Sequence, residues 1–294
     1  MMIDQFLNYL RYERRASALT VQTYEVPLRE FESYVSLRDT GLSLQSADAD
    51  LIRDWMESLM DKGNTASTIG KKLSALRSFY LFALKRGLVD KDPAHGVTGP
   101  KKSKPLPQFL RESEMDRLLD QLEWNTDDFE DARARTILIL FYEAGLRRSE
   151  LAGLDDKDVD FSQGQLKVTG KRNKQRIIPF GQELADTLRN YMAVRNSKFP
   201  TVSGPLFLGD KGQRITAAKV YTIVRKYLSM VTSLKKRSPH VLRHSFATAM
   251  LNNGASLESI KKLLGHESIN TTEIYAHTTF EQLKRIYKEA HPRA

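Results

Sequence analysis

A proline-rich stretch near the end of the first third of the chain most restricts how this sequence can fold. Residues 92–107 read DPAHGVTGPKKSKPLP and hold four prolines, two glycines and three lysines. Each proline fixes φ and removes a backbone donor, so a helix cannot continue through this stretch. The sequence therefore predicts two domains, residues 1–91 and residues 108–294, joined by an extended basic linker at 92–107.

The positive charge of the chain lies in its second part. The net charge is +10, yet residues 1–100 hold 13 basic and 13 acidic residues and are neutral. A basic domain beside a neutral one favours a polyanion as partner, because each neutralised phosphate releases counterions. The basic linker fits a segment that follows a nucleic-acid backbone, and it fits a simple spacer equally well.

Composition excludes several classes of protein. The 294 residues are 40% hydrophobic and 28% charged, which is typical of a globular chain. No apolar run is long enough to span a membrane, and the first ten residues lack the apolar core of a secretion signal. Cysteine is absent, which excludes disulfides, thiolate metal sites and cysteine nucleophiles. We expect a cytoplasmic protein without membrane insertion.

The residues before the linker show helical spacing of apolar side chains. Four helices are predicted there: one whose apolar face carries Ile3, Phe6, Leu7 and Leu10, then 20–35 with a bend at Pro27, 50–60, and a last one that starts after Asn64 or Thr65 and ends before Gly87. The polar face of this fourth helix places lysines beside small hydroxyl side chains, which would let it approach a phosphate backbone closely. Lys71, Ser74 and Lys85 are therefore candidate DNA-binding residues, although an ordinary solvated face gives the same pattern.

The residues after the linker are mostly helical, with one β element. A buried core helix is predicted around 137–142, and further helices at 182–195, 216–230, 239–252, 256–263 and 279–290. Residues 165–170 and 175–179 alternate as the two strands of a hairpin. Around its turn, five bases occur in ten residues without an acid: Lys167, Lys171, Arg172, Lys174 and Arg176. Such a concentration suits an anionic partner, with Arg172 and Lys174 as candidate DNA-binding residues, or a solvated turn.

Four short motifs carry residues that could do chemistry. They are GLRRSEL at 145–151, HVLRH at 240–244, LLGH at 263–266 and IYAH at 274–277. Ser238 and Pro239 predict a capped helix start just before HVLRH. Each motif alone has an ordinary structural explanation, such as surface arginines paired with Glu150 or a tyrosine in the core. Zinc binding by His240 and His244 is disfavoured, since Val241 stands where the metalloprotease motif needs glutamate.

Together these residues suit the transfer of a phosphodiester to tyrosine. The five-coordinate phosphorus of that reaction carries extra negative charge, which guanidinium groups stabilise without a metal ion. Lysine or histidine can protonate the departing oxygen, and histidine can help to deprotonate the tyrosine. The chain offers these groups in the order Arg147, Lys171, His240, Arg243, His266 and Tyr275.

The set resembles the tyrosine recombinase (phage integrase) family, and among its groups the Xer recombinases. The stretches SALRSFY, PHVLRHSFATAML and LLGHESINTTEIYAH and the final HPRA carry this resemblance. It implies a mainly α fold with a small β-hairpin or sheet: an N-terminal four-helix, SAM-like core-binding domain and a C-terminal α+β catalytic domain. It also implies roles: Tyr275 as nucleophile forming a 3′-phosphotyrosyl link, Arg147 and Arg243 as phosphate clamps, Lys171 as proton donor, His240 and His266 in proton transfer, and Glu150 as an accessory orienting residue.

The resemblance further implies partners and the absence of a cofactor. Rejoining through phosphotyrosine needs no ATP or metal, and the chain has no phosphate-binding G-x-x-x-x-G-K-[ST] motif. The implied partners are a double-stranded DNA recombination site, other protomers in a homo-oligomer or a hetero-tetramer with a paralogous recombinase, and a septal DNA translocase. The last helix would dock onto a neighbouring protomer. Alternatives are a mobile-element integrase, a type IB topoisomerase and, in another class, a DNA-binding regulator without catalysis.

Overall fold

The computed structural model describes residues 1–38, 41–101, 108–170, 173–265 and 280–293, with the main chain only at 280 and 281. These residues form two compact units, 1–105 and 106–294. The first unit is helical, as predicted. Its α-helices are α1 (Met2–Asn8), α2 (Ala18–Arg38), α3 (Ala49–Asp61) and α4 (Ala66–Lys85), and a π-helical turn, Tyr9–Glu13, follows α1.

Helix starts in the first unit follow from side-chain caps. Asp48 accepts a hydrogen bond from the Leu51 amide before α3, and Thr65 accepts one from the Thr68 amide before α4. These bonds satisfy amides that have no partner within the helix. Pro27 lies inside α2. The predicted helix positions are therefore confirmed to within a few residues.

The beginning of the predicted linker packs on the first unit. Ala94 and Val97 are fully buried in its apolar core. Arg77 of α4 donates hydrogen bonds to the backbone carbonyls of both residues. The extended stretch predicted to begin at residue 92 is thus anchored at its start, because Ala94 and Val97 supply apolar side chains that the core covers.

The second unit is mainly helical around a small sheet. Its α-helices are α5 (Glu112–Asp116), α6 (Phe129–Ala144), α7 (Arg148–Gly153), α8 (Gln182–Lys198), α9 (Ala217–Val231), α10 (Pro239–Asn252), α11 (Leu257–Leu264) and α12 (Phe280–Ala290). The antiparallel strands β1 (Val159–Asp160), β2 (Gln165–Thr169) and β3 (Gln175–Pro179) lie in the order β1-β2-β3. The mainly α fold and the hairpin were predicted; β1 and α5 were not.

Helix α6 forms the centre of this unit. Its residues 136–144 are all buried, so it is covered on every side. It packs against α8, α9 and α10. No helix in the described part of the chain is long and apolar enough to cross a membrane.

The C-terminal helix α12 packs on its own unit. Tyr287 is 1% exposed, and its hydroxyl donates a hydrogen bond to the buried carboxylate of Glu143 in α6 at 3.2 Å. The buried His291 ring stacks on Tyr287 at 5.1 Å between centroids. Arg293 then pairs with three carboxylates, those of Asp116, Asp120 and Glu183. The buried side of this helix thus packs within the same chain, and docking of the last helix onto a neighbouring protomer stays a prediction.

The buried pair of Glu143 and Tyr287 makes the stability of the second unit depend on pH. Burial raises the pKa of Glu143 to about 8, whereas the unfolded value is about 4.3. Between these values the folded state holds a proton that the unfolded state lacks, so stability falls as pH rises. Burial lowers the pKa of His291 to about 4, which gives the opposite slope only below its unfolded value of about 6.5.

We therefore expect the free energy of unfolding to fall between about pH 6.5 and 8 by up to about 1.4 kcal/mol per pH unit. Glu143→Gln should remove most of this slope, since the amide does not ionise there. Urea unfolding followed by circular dichroism at several pH values measures it. Glu130→Gln, at an exposed acid of the same helix, is the control. An unchanged slope in Glu143→Gln contradicts the assignment.

Candidate active site

A left-handed glycine turn positions the first arginine motif. Helix α6 ends at Gly145, whose φ is +57°. A Cβ atom there would lie 2.6 Å from Phe246 Cδ1 and 2.8 Å from Leu264 Cδ2. Only glycine fits both this conformation and this close approach. The turn brings Arg147 to the start of α7, next to α10 and to the end of α11.

Glu150 holds Arg147 from within the same helical turn. Its carboxylate accepts hydrogen bonds from the Arg147 backbone amide at 2.8 Å and from Arg147 Nη1 at 2.7 Å. The same carboxylate pairs with both terminal nitrogens of Arg176, on β3, at 2.9 and 2.8 Å. Glu150 is therefore a buried link between two arginines, and the orienting role predicted for it stays a prediction.

The end of α11 is where three arginines meet. The last carbonyls of a helix have no partner within it and carry the negative end of its dipole. Three consecutive carbonyl oxygens each accept a hydrogen bond of 2.8 Å, from Arg176 Nε to Leu263, from Arg243 Nη2 to Leu264 and from Arg147 Nη2 to Gly265. We call Arg147, Arg176, Arg243 and Glu150 the arginine cluster. It fixes three guanidinium groups from three different elements around one helix end.

The electrostatics of the arginine cluster favour an anion. Burial would raise the pKa of Glu150, but the hydrogen bonds and charges of Arg176 and Arg147 outweigh it and lower that pKa to about 2. Burial, together with the nearby Arg147, lowers the pKa of Arg243 to about 10. Three guanidinium cations thus lie close to one carboxylate that stays ionised at neutral pH. A bound phosphate would reduce the repulsion between these cations.

His240 lies in the first turn of α10, one turn before Arg243. Its ring is accessible to solvent, and its pKa is lowered by partial burial and by nearby charges, Arg243 first among them. A neutral imidazole at neutral pH can accept a proton or donate a hydrogen bond. Pro239 occupies the first turn as predicted. Ser238 is the N-cap residue, as predicted, but its side chain accepts no capping hydrogen bond; the Val241 amide bonds to the Ser238 backbone carbonyl at 2.9 Å.

Four predicted site residues lie outside the described residues: Lys171, Arg172, His266 and Tyr275. The residues next to them are described. Gly170 donates its amide to the Lys174 carbonyl at 2.7 Å, which closes the hairpin below its turn, and Lys174 is exposed. Gly265, directly before His266, bonds to Arg147 through its carbonyl. Both neighbouring positions therefore contact or flank the arginine cluster.

One arginine of this region, Arg176, was not assigned correctly from the sequence. Arg176 was counted only as one base of the hairpin, yet it belongs to the arginine cluster. Its pairing with Val168 places it on the buried side of the hairpin, and a charge on a buried face needs a partner. That alternation was the available signal. Arg148, the next residue after Arg147, lies over the Tyr221 ring at 5.9 Å.

The first unit offers a separate polar surface on α4. Lys71, Ser74 and Lys85 are all exposed, as the helical pattern predicted. The Ser74 hydroxyl donates to the Gly70 carbonyl at 2.8 Å within the helix, which leaves its oxygen able to accept. In the ranges that the structure describes, no three histidine or acidic side chains cluster in a way that could hold a metal ion.

Comparison with known families agrees with this geometry. Residues 108–282 match the model of the phage integrase family, and residues 3–87 match that of the phage integrase N-terminal SAM-like domain. The chain is 38% identical to the tyrosine recombinase XerC of Chlorobaculum tepidum, covering 99% of this chain and 94% of that one. It is 37% identical to XerC of Vibrio vulnificus, covering 99% and 91%.

Solved structures show the same fold. The XerH recombinase bound to its difH substrate in a post-cleavage complex superposes with a TM-score of 0.73 at 23% identity, covering 99% of this chain and 82% of that one. The Tn1549 transposon integrase with transposon end DNA gives 0.69 at 21% identity, covering 98% of each chain. The chain belongs to the phage integrase family of tyrosine recombinases, and within it to the Xer-type site-specific recombinases. It is a DNA breaking and rejoining enzyme.

Proposed function

We propose that this recombinase resolves chromosome dimers by cutting and rejoining DNA at a specific site through a 3′-phosphotyrosyl intermediate. The arginine cluster is the observation that carries the proposal. It places the guanidinium groups of Arg147, just before α7, and Arg243, on α10, at the end of α11. A phosphodiester that becomes five-coordinate needs such groups. Near full-length similarity to XerC proteins supports chromosomal dimers over a mobile-element attachment site as the substrate.

Each residue has a stated task in this reaction. Arg147 and Arg243 bind the non-bridging oxygens of the scissile phosphate, and Tyr275 attacks the phosphorus. The bond from phosphorus to the 5′-oxygen breaks, and Lys171 gives that oxygen a proton. His240 and His266 assist proton transfer to and from the tyrosine. The phosphotyrosine bond conserves the energy of the broken phosphodiester. The 5′-hydroxyl of a partner strand can therefore attack this phosphorus, form a new phosphodiester and release the tyrosine.

The DNA extends beyond the scissile phosphate to both units. Lys71, Ser74 and Lys85 on α4, and Arg172 and Lys174 at the hairpin, are proposed to contact its backbone. Recombination joins two sites, so we propose an assembly of four protomers, either copies of this chain or pairs formed with a paralogous recombinase. A septal DNA translocase is the proposed activator, and the cytoplasm, where the chromosome lies, is the proposed location.

A covalent-adduct assay tests the proposed function. The protein is incubated with a duplex that carries a chromosome-dimer-resolution type site and a nick next to the cleavage position. After cleavage, the short fragment that carries the 5′-hydroxyl diffuses away, so the strand cannot be rejoined and the covalent intermediate accumulates. We expect a protein–DNA adduct that survives a denaturing gel. A scrambled duplex with the same nick is the control. Non-covalent binding without any adduct would favour the DNA-binding regulator instead.

A further inference from the structure

Arg176 joins three structural elements through one side chain. It is the second residue of β3 and pairs with Val168 of β2. Its two terminal nitrogens hold both oxygens of Glu150 on α7, at 2.9 and 2.8 Å. Its Nε holds the Leu263 carbonyl at the end of α11, at 2.8 Å. Arg176 therefore links the hairpin to α7 and to the end of α11.

The ion pair of Arg176 and Glu150 is closely packed by the residues around it. The Arg176 side chain is 13% exposed and that of Glu150 is 2% exposed. A Cβ at Gly265 would lie 3.1 Å from Arg176 Cδ, and one at Gly170 would lie 3.3 Å from Glu150 Oε1. Two glycines thus allow the backbone to close over a planar, two-bond ion pair, whose geometry lysine cannot reproduce.

The ion pair of Arg176 and Glu150 also limits the hydrogen bonds that Glu150 can make with Arg147. Glu150 accepts one side-chain hydrogen bond from Arg147, at Nη1, and Arg147 Nη2 bonds to the Gly265 carbonyl. The Arg147 side chain stays 34% exposed, so its remaining donors face solvent. If Arg176 were absent, Glu150 Oε2, which now accepts from the Arg147 amide and from Arg176 Nη2, would be open to a second side-chain nitrogen of Arg147. A two-bond pair between Glu150 and Arg147 would then turn these donors away from a phosphate.

We propose that Arg176 is a positioning residue for DNA cleavage: by occupying both oxygens of Glu150, it keeps Arg147 oriented toward the scissile phosphate. Arg176 itself does not contact the reacting atoms in this role. The inference rests on the proposed function, because it needs a cleavage reaction to act upon. It predicts a defect in the rate of the bound complex rather than in DNA affinity.

The direct test is Arg176→Met, assayed by the single-turnover rate of adduct formation at saturating nicked duplex, with the Kd for DNA measured separately. Misplacing a reacting group by about 1 Å costs up to about 100-fold in rate. We expect a loss of this size with a Kd within a few-fold of the wild type. Arg189→Met, which removes an exposed arginine of the same unit, is the matched control and should cleave normally.

Three further readouts separate positioning from a merely structural role. Arg176→Lys keeps the charge but not the two-bond geometry, so it should cleave at an intermediate rate; it also serves as the test variant if Arg176→Met does not fold. Arg176→Met and Glu150→Gln should be strongly non-additive, since both act through one contact. Thermal melting measures the effect of each variant on stability independently.

The pH dependence of cleavage gives a fourth readout. With Arg176 removed, the cations that face Glu150 among the described residues are Arg147 and the more distant Arg243, so burial should raise the pKa of its carboxyl above its present value. Cleavage by Arg176→Met should then show an additional dependence on pH in the acid range that the wild type lacks. Combining it with Glu150→Gln should abolish that dependence, because the amide does not titrate.

The outcomes distinguish this inference from the proposed function. Failure of the wild-type protein to form any adduct would reject the proposed function. A wild-type protein that cleaves, together with an Arg176→Met variant that cleaves at the same rate, would overturn the inference alone. Slow cleavage by Arg176→Met that is additive with Glu150→Gln would also overturn it, since the effect would then not pass through Glu150.

Discussion

Replacing Arg243 by alanine is expected to slow cleavage by about 10²- to 10³-fold or more while DNA still binds. The Arg243 side chain is buried, and it donates hydrogen bonds to the carbonyls of Gly145 and Leu264. Its position is therefore fixed before DNA arrives, and it loses no orientation when the phosphate binds. An arginine held in this way contributes most when the phosphorus gains charge in the transition state.

The measurement is the single-turnover rate of adduct formation at saturating nicked duplex, with a gel-shift titration for affinity. Arg189→Ala, at an exposed arginine that lies outside the arginine cluster, controls for the loss of one positive charge. Arg243→Lys controls for folding and should still cleave slowly, since a single ammonium cannot replace a planar fork. Wild-type cleavage by Arg243→Ala would refute the clamp role.

Much of the fold was predictable because its signals are local. Helices α8, α9 and α10 begin within one residue of the predicted positions, where apolar periodicity is sustained and caps or prolines mark the ends. The hairpin followed from alternation, and in the structure Leu166 pairs with Ile178 across its two strands. Strand β1 has two residues and α5 has five, which is too short for any periodicity to be recognised.

The site was predictable only in part, since some of its contacts leave no mark in the sequence. Arg147, His240 and Arg243 could be predicted because they lie in short sequence motifs whose side chains have recognisable chemistry. The carbonyls of residues 263–265 could not, because every residue has one and only the fold selects these three. Arg176 was missed for a related reason, since its partner Glu150 lies 26 positions away.

The second large effect is expected from Tyr275→Phe, which should form no covalent adduct while it binds DNA like the wild type. The substitution removes a single oxygen and keeps the ring, so any change in cleavage reports on that oxygen. A phenol has a reference pKa of about 10 and is a weak nucleophile at neutral pH. It needs nearby cations and a proton acceptor, and the described residues place three arginines and His240 in one region of the second unit.

The same denaturing-gel assay checks this prediction, and peptide mapping of the wild-type adduct locates the attached residue. Tyr12→Phe is the matched control, because Tyr12 is 76% exposed in the first unit and loses the same oxygen. It should form adduct at the wild-type rate. An adduct with Tyr275→Phe would move the nucleophile elsewhere, and the mapped peptide would identify it. A Tyr275→Phe variant that forms no adduct but binds DNA normally would assign the phenol to attack and leave phosphate binding to the arginines.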